Sequence, residues 1–308
     1  MAWLENRRNE GGRMEGKVKK PIRRLIIFLP VAKPGVDTDF LITYNQAYKY
    51  LTSHLDELPW ELEIMEYYCQ TFPIDANRNE CATRFIEGVP IEGKRVWRAD
   101  ISIWFDTDHT IPLDTFTRLL LHDKPIVLGI YYLKTKKRDQ PFYPVLFKRN
   151  EKKRDIFKAV MEFPKDELFE VDFAGMGAAC IKREVFEAIE SPYFEYSRHP
   201  LRTNASDSEF KHMANIKDVS EDKYFWDQVK DKTDYKILVD PKVQFGHIGK
   251  MIFDQYMYSA WLGEYKRKLL EQKGEIKFKE LWGEMGIAEP YKEQEDVDRG
   301  TKKRKKTA

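Results

Sequence analysis

The stretch Ile101-Ser102-Ile103-Trp104-Phe105-Asp106-Thr107-Asp108-His109 sets two carboxylates one residue apart at the end of an apolar run. In an extended chain, residues i and i+2 point to the same face. Two carboxylates on one side of a buried strand end repel each other. One is driven toward protonation unless a cation sits between them or water reaches them. A hard divalent cation such as Mg²⁺ or Mn²⁺ is the usual relief, and such an ion also carries phosphate oxygens. The pattern therefore points to a metal that clamps a diphosphate. Taken alone, so short a pattern reads more simply as a solvated Asx-rich turn closing a strand.

Three later features bear on that choice. Ser220-Glu221-Asp222-Lys223 is an acidic pair at the start of an expected helix. Carboxylates are favoured there by unpaired amides and the dipole, and an ordinary helix cap explains it as well. Gly246-His247 follows another apolar run; a single histidine is more often a satisfied structural residue than a ligand. Gly175-Met176-Gly177 permits close backbone approach, or forms a turn. His109, directly after the second carboxylate, either contacts a metal or acceptor or caps a helix starting near Pro112. The cap is the simpler reading.

The elements that must position these residues alternate. Leu25-Ile26-Ile27-Phe28-Leu29-Pro30-Val31 is a continuous apolar run, the mark of a buried, parallel strand. Asp37-Thr38-Asp39 caps a helix to about His54, with Phe40, Tyr44, Ala47, Tyr48 and Leu51 at helical spacing. A strand is expected over Leu62 to Tyr68, a helix over Asp75 to Phe85 and a strand over Asp100 to Phe105. A helix over Pro112 to His122 and a strand over Pro125 to Tyr132 follow. Lys134 to Lys153 is basic and proline-broken, hence a loop or hairpin. Val171 to Ile181 leads into a helix over Arg183 to Ile189. Lys236 to Val239 and Val243 to His247 close the core. Such alternation implies a layered α/β sheet, with ligands at the carboxyl ends of the strands. An amphipathic helix over Met251 to Gln272, which packs on the core, dimerises or touches a membrane surface, core packing being the simplest reading, and a shorter one over Ile276 to Met285 complete the chain. Ser191 to Val219, with surface histidines His199 and His212, reads as a polar loop that acts as a lid or an insertion.

Composition narrows the function classes. The net charge of +2 balances 53 basic against 51 acidic residues, whereas a general nucleic-acid binder carries a larger basic excess. Cys69, Cys81 and Cys180 are odd in number and widely spaced, which argues against a disulfide framework or zinc site and for a reducing compartment. No apolar run approaches the roughly 20 residues of a membrane span, and the polar Glu5 to Lys20 stretch does not read as a signal peptide. A cytoplasmic protein is expected, with disordered basic ends over 1–20 and 293–308.

Pro30 at the end of its strand, Arg78-Asn79 opening a helix, Phe105-Asp106-Thr107-Asp108, Gly175-Met176-Gly177-Ala178, Glu221-Asp222 and Gly246-His247 occur in that order. As an ordered set, spanning about Leu25 to Gly249, they resemble a glycosyltransferase of the A-type fold, close to the large inverting family-2 group. The resemblance implies a three-layer α/β/α nucleotide-diphospho-sugar transferase fold over 21–250 with a mostly parallel central sheet. Its nucleotide-binding half would lie at about 21–110 and its acceptor half at 111–250, with C-terminal helices over 251–292. It also implies a DXD motif in which Asp106 lies near the donor ribose and joins Asp108 and His247 around Mn²⁺ or Mg²⁺. His247 would serve as ligand or diphosphate contact. Pro30, Arg78 and Asn79 would border the nucleotide, and Gly175, Met176 and Gly177 the sugar and acceptor pocket. Asp222 would be the general base, with Glu221 beside it. The donor would be a nucleotide-diphosphate sugar. The acceptor would be a glycan, a lipid-linked sugar, a protein or a modified nucleic acid, and the basic tails could touch a membrane surface.

Two other classes compete. A sugar nucleotidyltransferase would carry a Gly-rich phosphate loop after the first strand, where only Lys33 and Gly35 hint at one. A nucleic-acid-binding or scaffold protein would use the basic ends, Arg7 to Arg24 and Lys302 to Lys306.

Overall fold

The computed structural model describes residues 20–31, 36–134, 143–149, 157–196, 220–249 and 252–272. The elements run β1 (Ile22–Pro30), α1 (Thr38–Ser53), β2 (Glu61–Cys69), α2 (Ile74–Glu87), β3 (Val89–Ile91), β4 (Arg95–Trp97), β5 (Ile101–Phe105) and β6 (His109–Thr110). They continue through α3 (Thr115–Leu121), β7 (Ile126–Ile130), β8 (Leu146–Arg149), β9 (Phe157–Ala159), β10 (Phe169–Val171), β11 (Phe173–Ala174), β12 (Ala178–Lys182) and α4 (Arg183–Glu187). Last come α5 (Glu221–Lys232), β13 (Ile237–Gln244), β14 (Gly246–Ile248), β15 (Ile252–Phe253) and α6 (Gln255–Gln272). The chain divides into two compact units, Met1–Tyr258 and Ser259–Ala308, and α6 starts in the first.

A seven-stranded sheet in the order β10-β13-β7-β12-β5-β1-β2 forms the middle layer. Strands β2, β1, β5, β7 and β13 run one way; β12 and β10 oppose them. The expected mostly parallel α/β sheet is therefore present. Alternation along the buried strands separates its two faces. Leu25, Ile27, Leu29, Ile101, Ile103 and Phe105 join Phe40, Tyr44, Leu51 of α1 and Phe116, Leu119, Leu120 of α3 in one core. On the other face Phe28 meets Trp104 at 4.5 Å and Phe85 of α2 at 6.3 Å. Phe186 of α4 lies 5.8 Å from Trp104 and 5.0 Å from Phe225 of α5. Each such buried ring contributes about 1.5–3 kcal/mol, so this aromatic layer fixes α5 against the sheet. Buried Ser102 is satisfied: its hydroxyl donates to the Ile181 carbonyl and accepts from Trp104 Nε1.

Local chemistry sets the helix starts as expected at α1, where Asp37 accepts from Asp39 N–H at 3.0 Å. Ser220 caps α5 by accepting from Lys223 N–H, which is worth about 1 kcal/mol. Three expectations change. Helix α3 begins at Thr115, and His109 is a strand residue rather than its cap. The C-terminal helix begins at Gln255, because Ile252 and Phe253 pair with β14 instead. Asp106 and Asp108 lie in the turn after β5, which ends at Phe105, so same-face alternation does not govern them. The stretches 1–19, 32–35, 135–142, 150–156, 197–219, 250–251 and 273–308 lie outside the described residues. With them lie Lys33, Gly35, His199, His212, most of the polar loop, the helix expected over Ile276 to Met285 and both basic ends. All three cysteines are buried and free. Among the described residues no helix is long and apolar enough to cross a membrane.

Candidate functional site

The carboxyl ends of β1 and β5 and the segments that follow β7 and β13 open into one cleft of about 920 Å³. Its lining includes Pro30, Arg78, Asp106, Asp108, Asp222 and His247. Insertion of β12 antiparallel between β7 and β5 brings its leading segment, Gly175 to Gly177, to the same edge. The amino-terminal turns of α2 and α5 bring Arg78, Glu221 and Asp222 to the same cleft. Asp108, Asp222 and His247 thus share a cleft although Asp108 is more than a hundred residues from the other two in sequence.

Two clusters divide the carboxylates. The first centres on Arg78, whose side chain is 4% exposed. Its Nη2 donates to Asp106 Oδ1 at 3.0 Å and its Nη1 to Glu221 Oε1 at 2.9 Å and to Asp222. Burial disfavours the guanidinium, but Asp106 and Glu221 outweigh that effect and keep it charged. The Met176 N–H also donates to Asp222, at 3.3 Å. Asp222 is thereby oriented by a side chain from α2 and an amide from the glycine segment.

The second cluster is Asp108, His109 and His247, whose ligand atoms lie within 4.8 Å of one another. Antiparallel pairing of β6 with β14 sets His109 opposite His247, with ring centroids 4.6 Å apart. Each imidazole is held by a carbonyl. His109 Nδ1 lies 3.1 Å from Gly177 O, and His247 Nδ1 lies 2.7 Å from Tyr132 O. A carbonyl only accepts, so Nδ1 carries the proton in both rings and Nε2 presents a lone pair. His109 is fully buried and its Nε2 has no partner among the described residues. Burial, then the neighbouring His247, pushes His109 down to about 4, so it is neutral near neutrality. His247 Nε2 stands 3.6 Å from Asp108 Oδ1, and Lys134 Nζ contacts Asp108 Oδ2. Burial opposes ionisation of Asp108, yet its hydrogen-bonding contact with His247, its electrostatic interactions with the two histidines and its contact with the Lys134 ammonium hold it far below the usual carboxylate range. A buried, orphaned imidazole nitrogen beside a second imidazole and an ionised carboxylate fits a divalent transition ion.

Two glycines make this packing possible. A Cβ on Gly177 would fall 2.3 Å from Asp106 Oδ2 and 2.7 Å from His109 Cε1. A Cβ on Gly175 would fall 1.5 Å from the Tyr131 hydroxyl. The close approach that Gly175-Met176-Gly177 permits is thus to Tyr131, Asp106 and His109, behind the cleft lining rather than on it.

Several expected contacts are placed differently. Arg78 faces three carboxylates, which leaves its charge engaged rather than free for a phosphate. Asn79 pins a loop: Oδ1 accepts from the Tyr193 and Phe194 amides at 2.9 and 3.0 Å, and Nδ2 donates to Phe194 O. Asp106 turns to Arg78 and is outside the Asp108, His109, His247 grouping. Sequence reasoning left His109 between a metal or acceptor contact and a helix cap and favoured the cap; Lys134 it missed. His109 carried a signal, its position directly after Asp108. Lys134 carried none, since its pairing with Asp108 depends on the fold.

No family model matches the sequence, and no curated protein matches it. Among solved structures the chain is similar to A197 from STIV, with 17% identity and a TM-score of 0.39 over 73% of this chain and 86% of that one. It is similar to GalNAc-T7, solved with UDP, GalNAc and Mn²⁺, with 11% identity and a TM-score of 0.43 over 74% of this chain and 44% of that one. A glycosyltransferase involved in glycosylation of the major capsid of PBCV-1 aligns with 11% identity and a TM-score of 0.25 over 70% of this chain and 92% of that one. At these scores none of the three bears on function.

Proposed function

We propose that the chain transfers a glycosyl group from a nucleotide-diphosphate sugar to an acceptor hydroxyl, as an A-type-fold glycosyltransferase. The observation that carries this reading is the one cleft at the carboxyl edge of a mostly parallel sheet. Asp108, His247 and Asp222 line it, and His109 stands beside Asp108 and His247 behind that lining. Asp108, His109 and His247 would hold a divalent ion, which when bound neutralises charge on a departing nucleoside diphosphate. Two imidazoles with one carboxylate favour Mn²⁺ or a later first-row ion over Mg²⁺.

Asp222 takes the acceptor proton as the acceptor oxygen bonds to the sugar's anomeric carbon and the carbon–diphosphate bond breaks. Arg78 and the Met176 amide hold Asp222 in place for that step, which makes them positioning groups. Pro30, Val36, Ile74 and Ile248 supply the apolar lining of the cleft. They suit the faces of a base or ribose.

The test is release of nucleoside diphosphate from a panel of UDP-, GDP- and ADP-sugars with Mn²⁺. Wild type is compared with Asp108→Ala and Asp222→Asn. Loss of turnover in both variants supports the reading. Wild-type turnover in both rejects it.

A further inference from the structure

A diphosphate that enters this cleft meets five carboxylates in its lining, Asp37 and the four of the two clusters. Two basic side chains line it as well, Arg78 and Lys134. Arg78 is spent: it is almost fully buried and its terminal nitrogens serve Asp106, Glu221 and Asp222. That leaves Lys134 as the basic lining residue, among those described, with a charge to offer an anion. Its backbone is anchored just beyond β7, where the neighbouring Leu133 N–H donates to Tyr143 O at 3.0 Å. Its side chain is 31% exposed, and a lysine stem has four rotatable bonds. The ammonium can therefore reorient while the backbone stays in place.

Lys134 also stands on the carboxylate that the proposed ion requires. Asp108 gives Oδ2 to Lys134 and turns Oδ1 toward His247. A divalent ion ligated by Asp108 and the two imidazoles would be repelled by an ammonium on the same carboxylate. We infer that Lys134 is an exchangeable counter-ion: it holds Asp108 until a divalent cation takes that carboxylate, and then turns to the diphosphate of the donor. This inference rests on the metal and nucleotide reading above. It assigns Lys134 two opposed effects, competition with the cation and attraction of the nucleotide. A lysine that served only the fold would produce neither.

The test uses the full chain and two variants, Lys134→Met and Lys134→Arg. Mn²⁺ affinity is measured by loss of the free-ion electron paramagnetic resonance signal. Affinity for UDP, GDP, CDP and ADP is then measured calorimetrically at saturating Mn²⁺. Removing a partly exposed ion pair and a nearby like charge should tighten Mn²⁺ binding in Lys134→Met by about three- to tenfold. Losing a charge-assisted contact should weaken the best-bound nucleotide by about tenfold or more. Lys134→Arg should restore nucleotide affinity to near wild type. Unchanged or weaker Mn²⁺ binding in Lys134→Met overturns the competition. Undiminished nucleotide binding in that variant overturns the diphosphate role. Absence of Mn²⁺ binding by the wild-type chain is a different failure, since it removes the metal reading and this inference with it. Mn²⁺ binding without any nucleotide binding counts against both the donor reading and the diphosphate role.

Discussion

Replacement of Arg78 by methionine is the sharpest perturbation of the cleft. The substitution keeps an unbranched apolar stem and removes the charge shared by Asp106, Glu221 and Asp222. Those carboxyl side chains are only 26%, 10% and 15% exposed, so water replaces the guanidinium poorly. Breaking a buried ion pair by deleting one partner costs about 3–5 kcal/mol. The partial exposure of Asp106 puts the expectation near the lower end, about 3 kcal/mol. At about 2–4 °C per kcal/mol, the midpoint should fall by about 6–12 °C. The loss must also depend on pH. Uncompensated carboxylates repel, and the folded variant then binds a proton that the unfolded chain releases. A folded-state pKa raised above the unfolded value gives stability that is present at low pH and lost as pH rises. The gap between variant and wild type should therefore narrow from about pH 7 to about pH 5. Urea unfolding at several pH values measures both quantities. A penalty below about 1 kcal/mol, or a gap that stays flat with pH, refutes the three-carboxylate clamp.

Three further outcomes follow from the same geometry. His109 is buried with its pKa pushed down to about 4, so between about pH 6.5 and that value the unfolded chain binds more protons. Stability should then fall with falling pH by at most about 3 kcal/mol over that window, and His109→Gln should remove the slope; an identical slope in the variant contradicts the assignment. Gly177→Ala, whose Cβ would lie 2.3 Å from Asp106 Oδ2, should cost about 1–3 kcal/mol and weaken Mn²⁺ binding by displacing His109. A variant with wild-type melting and Mn²⁺ affinity would show that the approach is not tight. Asn79→Ala orphans the Tyr193 and Phe194 amides and should lower stability by about 1–3 kcal/mol while leaving nucleotide affinity unchanged. A nucleotide defect at constant stability would place Asn79 in the pocket after all.

The sheet was legible because its central strands are buried on both faces. Leu25 to Leu29 reads as an unbroken apolar run for that reason, and Ile101 to Phe105 as one interrupted only by the buried Ser102. Asp37 announced α1 and Ser220 announced α5 through cap chemistry that acts over three residues. Asp108, Asp222 and His247 were read from the sequence as a set, and all three line one cleft. What could not be read was the partnering across the fold. Arg78 looked like a nucleotide contact because nothing near it in sequence shows that three carboxylates from β5's end and α5 converge on it. His109 looked like a cap because the β6–β14 pairing that buries it joins segments 136 to 138 residues apart, as the Gly246↔Thr110 and His247↔His109 register shows. Same-face alternation failed at Asp106 and Asp108 because β5 stops at Phe105. A pairwise ion contact such as Lys134 with Asp108 leaves no periodic trace in a chain.

The central claim is that His109 and His247 both ligate one ion with Asp108. Pulsed electron paramagnetic resonance of the Mn²⁺-loaded chain reads it out directly, through hyperfine coupling to imidazole nitrogen. Two nitrogen couplings should appear in the wild-type chain, one should vanish in His109→Gln and the other in His247→Gln, and Asp108→Ala should abolish binding. Bound Mn²⁺ without nitrogen coupling, or with both couplings intact in either histidine variant, would contradict the account.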